Sequence, residues 1–454
     1  MPLPPWLGRS AARVRETLVG GCTRRQVTTL AVLVAIGAAV RLAWVLYAAR
    51  TPDGLHDPAF YSVLAESLAD GDGYRLLDGS PTAYYPVGFP AALGAVYWVV
   101  GVVPVIDDLA LAAGLFQLVL GVAAILLTFA LARIVVGPRV AVVSAGIVAL
   151  FPNLVFHTAV PLTETLFIAL VLAALVIACA ADVRAPSRAS IAALGVVLGL
   201  SMLVRPVSAG LVVALAVGWR LAGQDWRPLV VRLAAVCGAA ALVIVPWTMR
   251  NLVVMDAPVL ISTNVGDNLC IGSFEDATGG YVLSEECSGG YEHLERPAYE
   301  TERNDGALRH GLSWAARNPH RALALVPWKI GLTFEHDHDG LDAAESYGAD
   351  PFIPRQWREL LAALADGYFF ACLALWAVAL PTMLRGRDPR SVLVVLAVPA
   401  LVAPVVLSFG DARFHVPIVP LLAIGAAVTL ERWWRAVRPG SPERHLVGSA
   451  RGRG

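Results

Sequence analysis

Two acidic residues stand where a carboxylate could take a proton from a hydroxyl group. Asp57 lies just beyond the first long apolar segment and is followed by Pro58, and Glu164 lies at the start of another apolar segment. A carboxylate next to a bound hydroxyl can act as a general base. An Asp before a Pro can equally be the N-cap of a helix, and an acid at a helix N-terminus is favoured by the helix dipole. The residues alone leave the catalytic and the structural interpretation open.

Basic residues lie at the same ends of the apolar segments. They are Arg205, Arg250, Lys329 and Arg413, and Lys329 is the only lysine of the chain. Because guanidinium and ammonium groups bind phosphate oxygens strongly, the set predicts a phosphate partner. That phosphate is either a lipid headgroup or part of a bound lipid substrate. With one carboxylate as base and cations around a leaving phosphate, a direct displacement at a sugar carbon needs no general acid.

Aromatic residues follow Asp57 in the sequence. Apolar residues recur at helical spacing from 60 to 68, which predicts an amphipathic helix lying on the membrane with Asp57 as its N-cap. In the stretch 79–90, which includes Tyr85, aromatic residues alternate with Pro and Gly. This pattern is typical of an anchor at the membrane interface, and it also suits a surface on which a sugar stacks.

The composition places these residues in a membrane protein. Of 454 residues, 57% are hydrophobic and 15% are charged, with a mean hydropathy of +0.65, whereas soluble domains average about 25% charged residues. The net charge of zero argues against nucleic-acid binding, and the hydrophobicity excludes an intrinsically disordered chain. The sequence has no P-loop, no G-x-G-x-x-G after a strand and no G-x-S-x-G, so a nucleotide-driven machine is unsupported.

The elements that position the candidate residues are predicted to be about ten membrane-spanning helices, each needing about 20 apolar residues. The segments are 27–49, 109–135, 140–157, 162–181, 189–204, 206–222, 229–249, 361–383, 391–408 and 414–430. Two adjacent segments that meet at Pro206 form either a hairpin or a broken helix. The stretch 88–106, which contains two prolines, predicts a helix at the interface, and 321–334 is too short for a full span. We therefore predict an all-α polytopic membrane protein.

The distribution of arginine orients the chain. If the N-terminus is inside, 21 of the 35 basic residues fall on inside segments, against six acids, in agreement with the positive-inside pattern. The outside segments then hold 13 basic residues and 29 acids, and Arg41 lies within the first span. The net charge of zero is thus a cancellation between two faces. Both termini are predicted to be cytoplasmic, and the first apolar stretch is too long for a signal peptide, which predicts a retained helix.

This orientation divides the chain into regions. They are a basic cytoplasmic N-terminus (1–26), an N-terminal transmembrane core (27–249) carrying the first outer loop (50–108), an extracytoplasmic region (250–360), C-terminal transmembrane helices (361–430) and a basic cytoplasmic tail (431–454). Cys270 and Cys287 both fall in the extracytoplasmic region, where they form either a disulfide or two free thiols. No Cys-x-x-Cys or His/Cys spacing indicates zinc.

Short motifs carrying these residues occur in an ordered series from residue 41 to about 425. They are His56-Asp57-Pro58-Ala59-Phe60-Tyr61, Gly71-Asp72-Gly73-Tyr74, Pro81-Thr82-Ala83, Tyr85-Pro86-Val87-Gly88-Phe89-Pro90, Thr163-Glu164-Thr165-Leu166-Phe167, Leu203-Val204-Arg205-Pro206, Pro246-Trp247-Thr248-Met249-Arg250-Asn251 and Asp411-Ala412-Arg413-Phe414-His415. The order of these motifs along the chain resembles that of the GT-C superfamily of integral-membrane glycosyltransferases. The resemblance is to the bacterial, glycosyltransferase family 39-like branch, similar to protein O-mannosyltransferases and aminoarabinose lipid A transferases.

The resemblance implies transfer of a hexose or pentose from a polyprenyl-phosphate donor to an acceptor at the extracytoplasmic face of a bacterial inner membrane. The acceptor is a lipid, a protein or a polysaccharide, and membrane lipids are the other expected partners. Asp57 occupies the position of the catalytic base. The substrate-binding candidates are His56, Tyr61, Tyr85, Glu164, Arg205, Arg250, Lys329 and Arg413. Many members carry paired acids where this chain has Asp57-Pro58, so no metal ligand is assigned and a divalent cation stays open as a cofactor.

Two other classes of function compete with a transferase. A transporter or flippase of lipid-linked sugars would share the spans and the outer cations, but transporters tend to show internal repeats and polar breaks near the bilayer midplane. The sequence shows no convincing twofold repeat, and its charged residues lie at the outer boundary. A structural membrane protein with an outer binding loop would not need acids and arginines gathered at one end of the helices. The transferase is therefore the preferred hypothesis.

Overall fold

The computed structural model describes residues 19–103, 106–182, 185–386 and 388–437 of the chain. Within these ranges the chain forms helices and turns, with an isolated β-bridge between Arg75 and Pro81 and no strand. The prediction of an all-α fold is therefore confirmed. The predicted N-terminal region before residue 19 and the predicted tail after residue 437 lie outside the described residues.

The described residues contain eighteen α-helices, numbered here in chain order. The first nine are α1 (Arg24–Ala48), α2 (Asp57–Ala69), α3 (Gly88–Val102), α4 (Leu109–Val136), α5 (Pro138–Ala149), α6 (Pro152–Phe156), α7 (Glu164–Ala180), α8 (Arg188–Val204) and α9 (Gly210–Leu221). The others are α10 (Trp226–Val254), α11 (Val265–Ile271), α12 (Glu285–Ser288), α13 (Ala298–Arg317), α14 (Pro319–Thr333), α15 (Asp339–Ala344), α16 (Arg355–Arg385), α17 (Pro389–Val402) and α18 (Val419–Val437). Short 3-10 turns follow α6, α8, α15 and α17, and a 3-10 helix, Ala412–Ile418, leads into α18.

Six helical segments of the described chain are long and apolar enough to cross a membrane. They are α1, α4, α10, α16, Pro389–Val406 and Ala412–Val437. The bent pair α5–α6 would be a seventh, and α7, α8 and the segment Pro206–Leu221 are apolar but shorter. All ten predicted segments are therefore helical, whereas their number as full spans stays a prediction. The shorter helices have the composition of a span without its length.

The predicted span 140–157 is interrupted where Pro152 starts α6, and the two helices meet at an angle of 59°. Arg41 of α1 reaches the end of α5 and donates to the carbonyl oxygens of Ala149 at 2.7 Å and Val148 at 3.0 Å. A helix break in a membrane leaves carbonyl groups that water cannot reach. The one arginine that the sequence places inside a span therefore supplies the hydrogen bonds that the break removes.

The segments that meet at Pro206 are two separate helices. Arg205 has an extended backbone (φ −146°, ψ 112°), as expected for a residue before proline. Pro206 then opens a 3-10 turn that leads into α9. Because α8 packs against α10 whereas α9 packs against α17, the chain changes its packing partners at this point. The side chain of Arg205 is left at the end of α8.

The predicted helix after the first span is α2, and it packs against α3. The two helices approach closely at Gly94, where an added Cβ would lie 2.8 Å from the carbonyl oxygen of Ala65. Pro90 does not interrupt α3 because it lies in the first turn, where its missing N–H has no helical partner in any case. The pair α2–α3 therefore forms a closely packed layer, and Tyr85 of the loop between the two helices packs against Tyr61 of α2.

Glu300 of α13 joins the first outer loop to the large outer region. Its Oε1 accepts hydrogen bonds from the amide of Ala83 at 2.7 Å and the hydroxyl of Thr263 at 2.6 Å. Its Oε2 accepts from the hydroxyl of Thr82 at 2.7 Å and from Arg296 Nη1 at 2.6 Å. One buried carboxylate thus satisfies donors from three parts of the chain and fixes the two regions against each other.

A disulfide between Cys270 and Cys287 closes the same outer region and joins α11 to α12. Of the alternatives that the sequence left open, the structure therefore contains the bridge. Asp267, also in α11, accepts hydrogen bonds from Tyr84 Oη at 2.8 Å and from Arg303 Nη2 at 2.5 Å. The first loop is thus tied to the large outer region at a second point.

Candidate active site

Asp57 is the first residue of α2, and its carboxylate binds two side chains from distant parts of the chain. The N-cap of α2 is His56, and no side chain caps the helix, so the prediction of Asp57 as N-cap is wrong by one residue. Asp57 Oδ1 accepts a hydrogen bond from Tyr85 Oη at 2.9 Å, and Oδ2 accepts one from Arg413 Nη1 at 2.7 Å. The side chain is 32% exposed. It is therefore fixed in orientation and still open to a substrate.

Arg413 connects Asp57 to a second, fully buried carboxylate. Its Nε donates to Glu164 Oε1 at 2.6 Å, while its Nη1 binds Asp57. Arg205 Nη1 lies 3.2 Å from the same Glu164 oxygen. The two acids and two arginines form one chain of ion pairs, called here the carboxylate–arginine cluster.

Four separate elements bring the cluster together. Asp57 and Glu164 each stand at the first position of a helix, α2 and α7, and Arg205 stands at the end of α8. Arg413 lies in the 3-10 helix that Asp411 caps by accepting a hydrogen bond from the Arg413 amide at 2.9 Å. Helix ends present side chains without the steric limits of a helix interior. The site therefore lies at one end of the helix bundle. It is formed by the ends of helices that are distant in the sequence and are brought together by the fold.

The formal charges of the cluster cancel. An isolated buried carboxylate is costly to desolvate, and a buried pair is tolerated only with good geometry and satisfied hydrogen bonds. Glu164 meets that condition because two guanidinium groups reach one of its oxygens and Thr163 Oγ1 lies 3.3 Å from the other. Asp57, at the exposed end, is the acid of the cluster that a substrate can reach.

Tyrosines form the wall beside Asp57. The Tyr85 ring meets Tyr61 edge-on with centroids 5.0 Å apart, and Tyr61 meets Phe89 in the same way at 5.5 Å. Burial, with the Asp57 charge next to it, raises the pKa of Tyr85 above its usual value, so its hydroxyl stays protonated and donates. His56 is exposed, and its ring lies 5.1 Å from that of Tyr347. Three predicted substrate-binding residues thus surround the carboxylate.

Arg250 does not join the cluster. Its Nη1 donates to the carbonyl oxygen of Thr82 at 2.7 Å, and its Nη2 donates to that of Tyr74 at 3.0 Å. The guanidinium also lies 4.9 Å from the centroid of the Trp247 ring. Arg250 therefore holds the two ends of the first-loop turn, which is a structural position for a residue that the sequence suggested as a substrate ligand.

Lys329 also lies apart from the cluster, in α14. It is 2% exposed, and its Nζ donates to the carbonyl oxygen of Val406 at 3.2 Å. Among the described residues no carboxylate lies within ion-pairing distance of it, and burial lowers the pKa of its ammonium to about 8. A buried cation without an acid is an available partner for an anion.

Two buried acids shortly after α14 were not among the predicted site residues: Asp337 precedes α15, and Asp339 is its first residue. Asp337 Oδ1 lies 2.8 Å from His415 Nε2 and accepts a hydrogen bond from Asn153 at 2.8 Å. Asp339 Oδ2 is buried without a hydrogen-bond partner, and it lies 3.9 Å from His157 Nε2.

Burial raises the pKa of Asp337 and of Asp339, and the charge of Arg413 acts on Asp339 in the opposite direction. Asp339 therefore lies within range of the charge of Arg413 and belongs to the electrostatic surroundings of the carboxylate–arginine cluster. The signal that could have found these acids is the run Glu335-His336-Asp337-His338-Asp339 shortly after an apolar helix. Five ionisable residues in succession are unusual at such a boundary.

The residues around Asp57 do not fit a divalent metal ion. Pro58 stands where a second acid would be needed, and both Asp57 oxygens already accept hydrogen bonds from Tyr85 and Arg413. Glu164 is fully buried and bound by two arginines. An ion would have to displace Arg413 from both carboxylates, so no step is derived through a metal at this site.

A sequence family matches the middle of the chain. Residues 92–249 match the family described as Dolichyl-phosphate-mannose-protein mannosyltransferase. This range contains Glu164 and Arg205 but neither Asp57 nor Arg413. No curated protein matches the chain by sequence.

Solved structures share the fold over almost all of the chain. ArnT from Cupriavidus metallidurans bound to undecaprenyl phosphate matches 92% of this chain with a TM-score of 0.53 and 16% identity. The archaeal oligosaccharyltransferase AglB from Archaeoglobus fulgidus, in complex with an inhibitory peptide and a dolichol-phosphate, matches 94% with a TM-score of 0.53 and 15% identity. This chain spans 62% of the length of the first and 54% of the second.

These matches define the class of protein. The chain is a multi-pass, all-helical membrane protein with the GT-C fold, and its resemblance to that superfamily is confirmed. The family match lies within the range of the predicted motifs.

Proposed function

We propose that the protein is a membrane glycosyltransferase that moves a sugar from a polyprenyl-phosphate donor to an acceptor hydroxyl at the extracytoplasmic face. The observation that carries the proposal is the partly exposed carboxylate of Asp57, held by Tyr85 and Arg413 at the outer end of the bundle. The GT-C fold and the polyprenyl phosphates bound by ArnT and AglB support the choice of donor class.

In the proposed reaction the acceptor oxygen attacks the anomeric carbon of the donor sugar. The bond between that carbon and the phosphate oxygen breaks, and its electron pair leaves with the phosphate. Asp57 takes the proton of the acceptor hydroxyl as general base. Because attack comes from the side opposite the leaving phosphate, the configuration at the carbon inverts.

The cations have separate proposed tasks. Arg413 orients Asp57 and, with Arg205, offers donors to the leaving phosphate. Their charges are already balanced by the acids of the cluster, so an entering phosphate needs a further positive charge. Lys329 is proposed to supply it, because its ammonium is buried and binds a carbonyl oxygen rather than an acid.

The location follows from charge and from the disulfide. The acidic outer regions and the basic short loops favour cytoplasmic termini, and the Cys270–Cys287 bridge suits an oxidising compartment. We therefore place the protein in the inner membrane of a bacterium, with the site outside. The sugar and the acceptor, whether lipid, protein or polysaccharide, are open to assay.

The test is transfer by the purified protein in liposomes, offered a panel of labelled polyprenyl-phosphate sugars and scored for transfer and hydrolysis. Asp57→Asn is expected to lower kcat by about 10²- to 10⁴-fold, which is the usual contribution of a general base. Asp70→Asn, at the exposed other end of α2, is the matched control. Transfer by the Asp57 variant at the wild-type rate would remove the base assignment. Movement of lipid-linked sugar across the bilayer without transfer would support the transporter instead.

A further inference from the structure

Two histidines and an aspartate meet between α14 and α16, apart from the carboxylate–arginine cluster. His336, His338 and Asp366 each place one ligand atom within 4.8 Å of the other two. His338 Nδ1 lies 2.9 Å from Asp366 Oδ1, and the two imidazole rings stack with centroids 4.2 Å apart. All three residues are half-buried. This group of residues is called here the His–His–Asp cluster.

Hydrogen bonding leaves one atom of the His–His–Asp cluster unexplained. His336 Nδ1 is buried and has no hydrogen-bond partner, and the nearest acid, Glu335, lies 3.6 Å from the other ring nitrogen. Buried polar atoms in native proteins almost always have a partner, and when the protein supplies none, a bound ion or water is one of the accepted explanations. Stacked imidazoles repel each other when both are protonated, whereas two neutral rings can share one cation.

We propose that His336, His338 and Asp366 bind a divalent transition-metal ion, and that the ligand chemistry selects Zn²⁺. Two imidazole nitrogens and one carboxylate oxygen form a ligand set that zinc uses, at bond lengths of about 2.0–2.2 Å. Ligand atoms of a tetrahedral site at those lengths lie about 3.3–3.6 Å apart. The distance of 3.1 Å between His338 Nδ1 and Asp366 Oδ2 is close to that spacing, while Asp366 Oδ1 accepts a hydrogen bond from the Asp337 amide at 2.7 Å. The ligand atom of His336 lies within 4.8 Å of the other two, so its side chain must move inward to bind the same ion. Water takes the fourth position.

The ion fixes a segment whose other residues are two buried acids, which contact histidines of neighbouring elements. In the run 336–339 the two metal-binding histidines alternate with two buried acids. Asp337 contacts His415, and Asp339 lies beside His157. The ion would tie the two histidines to α16. It would thereby hold Asp337 and Asp339 in place near the carboxylate–arginine cluster. The metal therefore has a positioning role and takes no part in the transfer itself.

The test measures metal rather than activity, so it succeeds or fails independently of the transferase proposal. The purified full-length protein is stripped with a chelator, dialysed against Zn²⁺ and analysed for zinc by mass spectrometry. One zinc per chain is expected, with a rise in Tm that the chelator reverses. His336→Gln, His338→Gln and Asp366→Asn should each lose the zinc. His293→Gln and His320→Gln, at exposed positions outside the cluster, should retain it.

A second measurement needs no variant and therefore does not depend on whether a variant folds. Wild-type protein titrated with Co²⁺ should develop saturable visible absorption bands of tetrahedral intensity, which Zn²⁺ then displaces. Wild-type protein that neither retains zinc nor binds Co²⁺ saturably would overturn the proposal. Retention of one zinc by the folded His336 and His338 variants would overturn it as well.

Discussion

Arg413 holds two carboxylates with two different nitrogens of one planar group. A lysine has a single compact ammonium and cannot bind Asp57 and Glu164 in that geometry. We expect Arg413→Lys to fold and to lose about 10²-fold in transfer rate, because a displacement of about 1 Å at the reacting group has that effect. Arg309→Lys, at an exposed position of α13, is the control for charge retention. A transfer rate within twofold of wild type would show that the fork of hydrogen bonds is dispensable.

Removing the guanidinium altogether tests stability rather than geometry. In Arg413→Gln the buried Glu164 keeps only Arg205 as a cationic partner. Breaking a buried ion pair by deleting one partner costs about 3–5 kcal/mol, and we expect the lower end because Arg205 remains. The measurement is denaturant unfolding in detergent, with Arg309→Gln as the control. An unchanged free energy of unfolding would mean that the cluster is solvated more than its burial indicates.

Asp339 makes the stability depend on pH. Burial raises its pKa in the folded protein above the unfolded value of 3.8. The folded state therefore binds more protons than the unfolded state between the two pKa values, and the stability contributed by the protonated form is lost as the pH rises through the folded pKa. Asp339→Asn removes this loss. We expect the Tm of the variant to exceed that of wild type by a margin that grows from pH 4 upward, with Asp70→Asn as the control. A margin that is constant with pH would contradict the assignment.

At the scale of elements, Glu300 of α13 forms the first of the two ties between the first outer loop and the large outer region. Glu300→Ala would leave buried donors of Thr82, Ala83 and Thr263 without an acceptor. We expect a loss of about 3–5 kcal/mol in the free energy of unfolding. Glu300→Gln keeps one acceptor oxygen and should lose less. Glu302→Ala, an exposed neighbour in the same helix, should be close to wild type. Equal effects of the Glu300 and Glu302 variants would show that the second tie, between Tyr84 and Asp267, is enough to hold the two regions together.

The helices themselves were largely predictable from the sequence, because apolar periodicity and caps act locally. The sequence pattern predicts that Asp57 and Glu164 lie near the starts of helices, and they are the first residues of α2 and α7. The use of Arg250 could not be predicted in this way, because the carbonyl groups that it binds belong to a turn more than 150 residues away in the sequence. The sequence does not distinguish an arginine that binds a phosphate group from one that binds the backbone carbonyl groups of a turn.

The same limit explains the acids that the sequence analysis missed. Asp337 and Asp339 resemble a solvated loop in the sequence, and tertiary packing buries them. Asp339 lies in α15, which packs against α6, and Asp337 contacts His415 and Asn153. Conversely, the carboxylate–arginine cluster was predicted only in part. The sequence indicated that its acids and arginines lie at the same end of the helices, but not which of them form ion pairs. The sharing of Arg413 between two acids depends on atomic geometry, which spacing does not encode.

Over the whole molecule, apolar side chains on the outer surface of the helices require a lipid environment. Leu46 of α1 and Leu242 of α10 are 66% and 76% exposed, and such surfaces in water would be sites of aggregation. The bundle therefore buries its polar cluster at one end and presents its apolar sides to the bilayer. Which end faces outward is decided by charge rather than by packing.

The orientation predicts which surfaces a reagent outside the cell can reach. With the free cysteines Cys22, Cys179, Cys237 and Cys372 replaced by alanine, a new cysteine at the exposed Asp305 should react with a membrane-impermeant maleimide in intact cells. A cysteine at the exposed Arg188, on a basic short loop, should react only after the membrane is permeabilised. The Cys270–Cys287 bridge stays unreactive in both variants unless it is reduced. The reverse labelling pattern would place the carboxylate–arginine cluster on the cytoplasmic side, where polyprenyl-phosphate donors facing the outer surface could not reach Asp57.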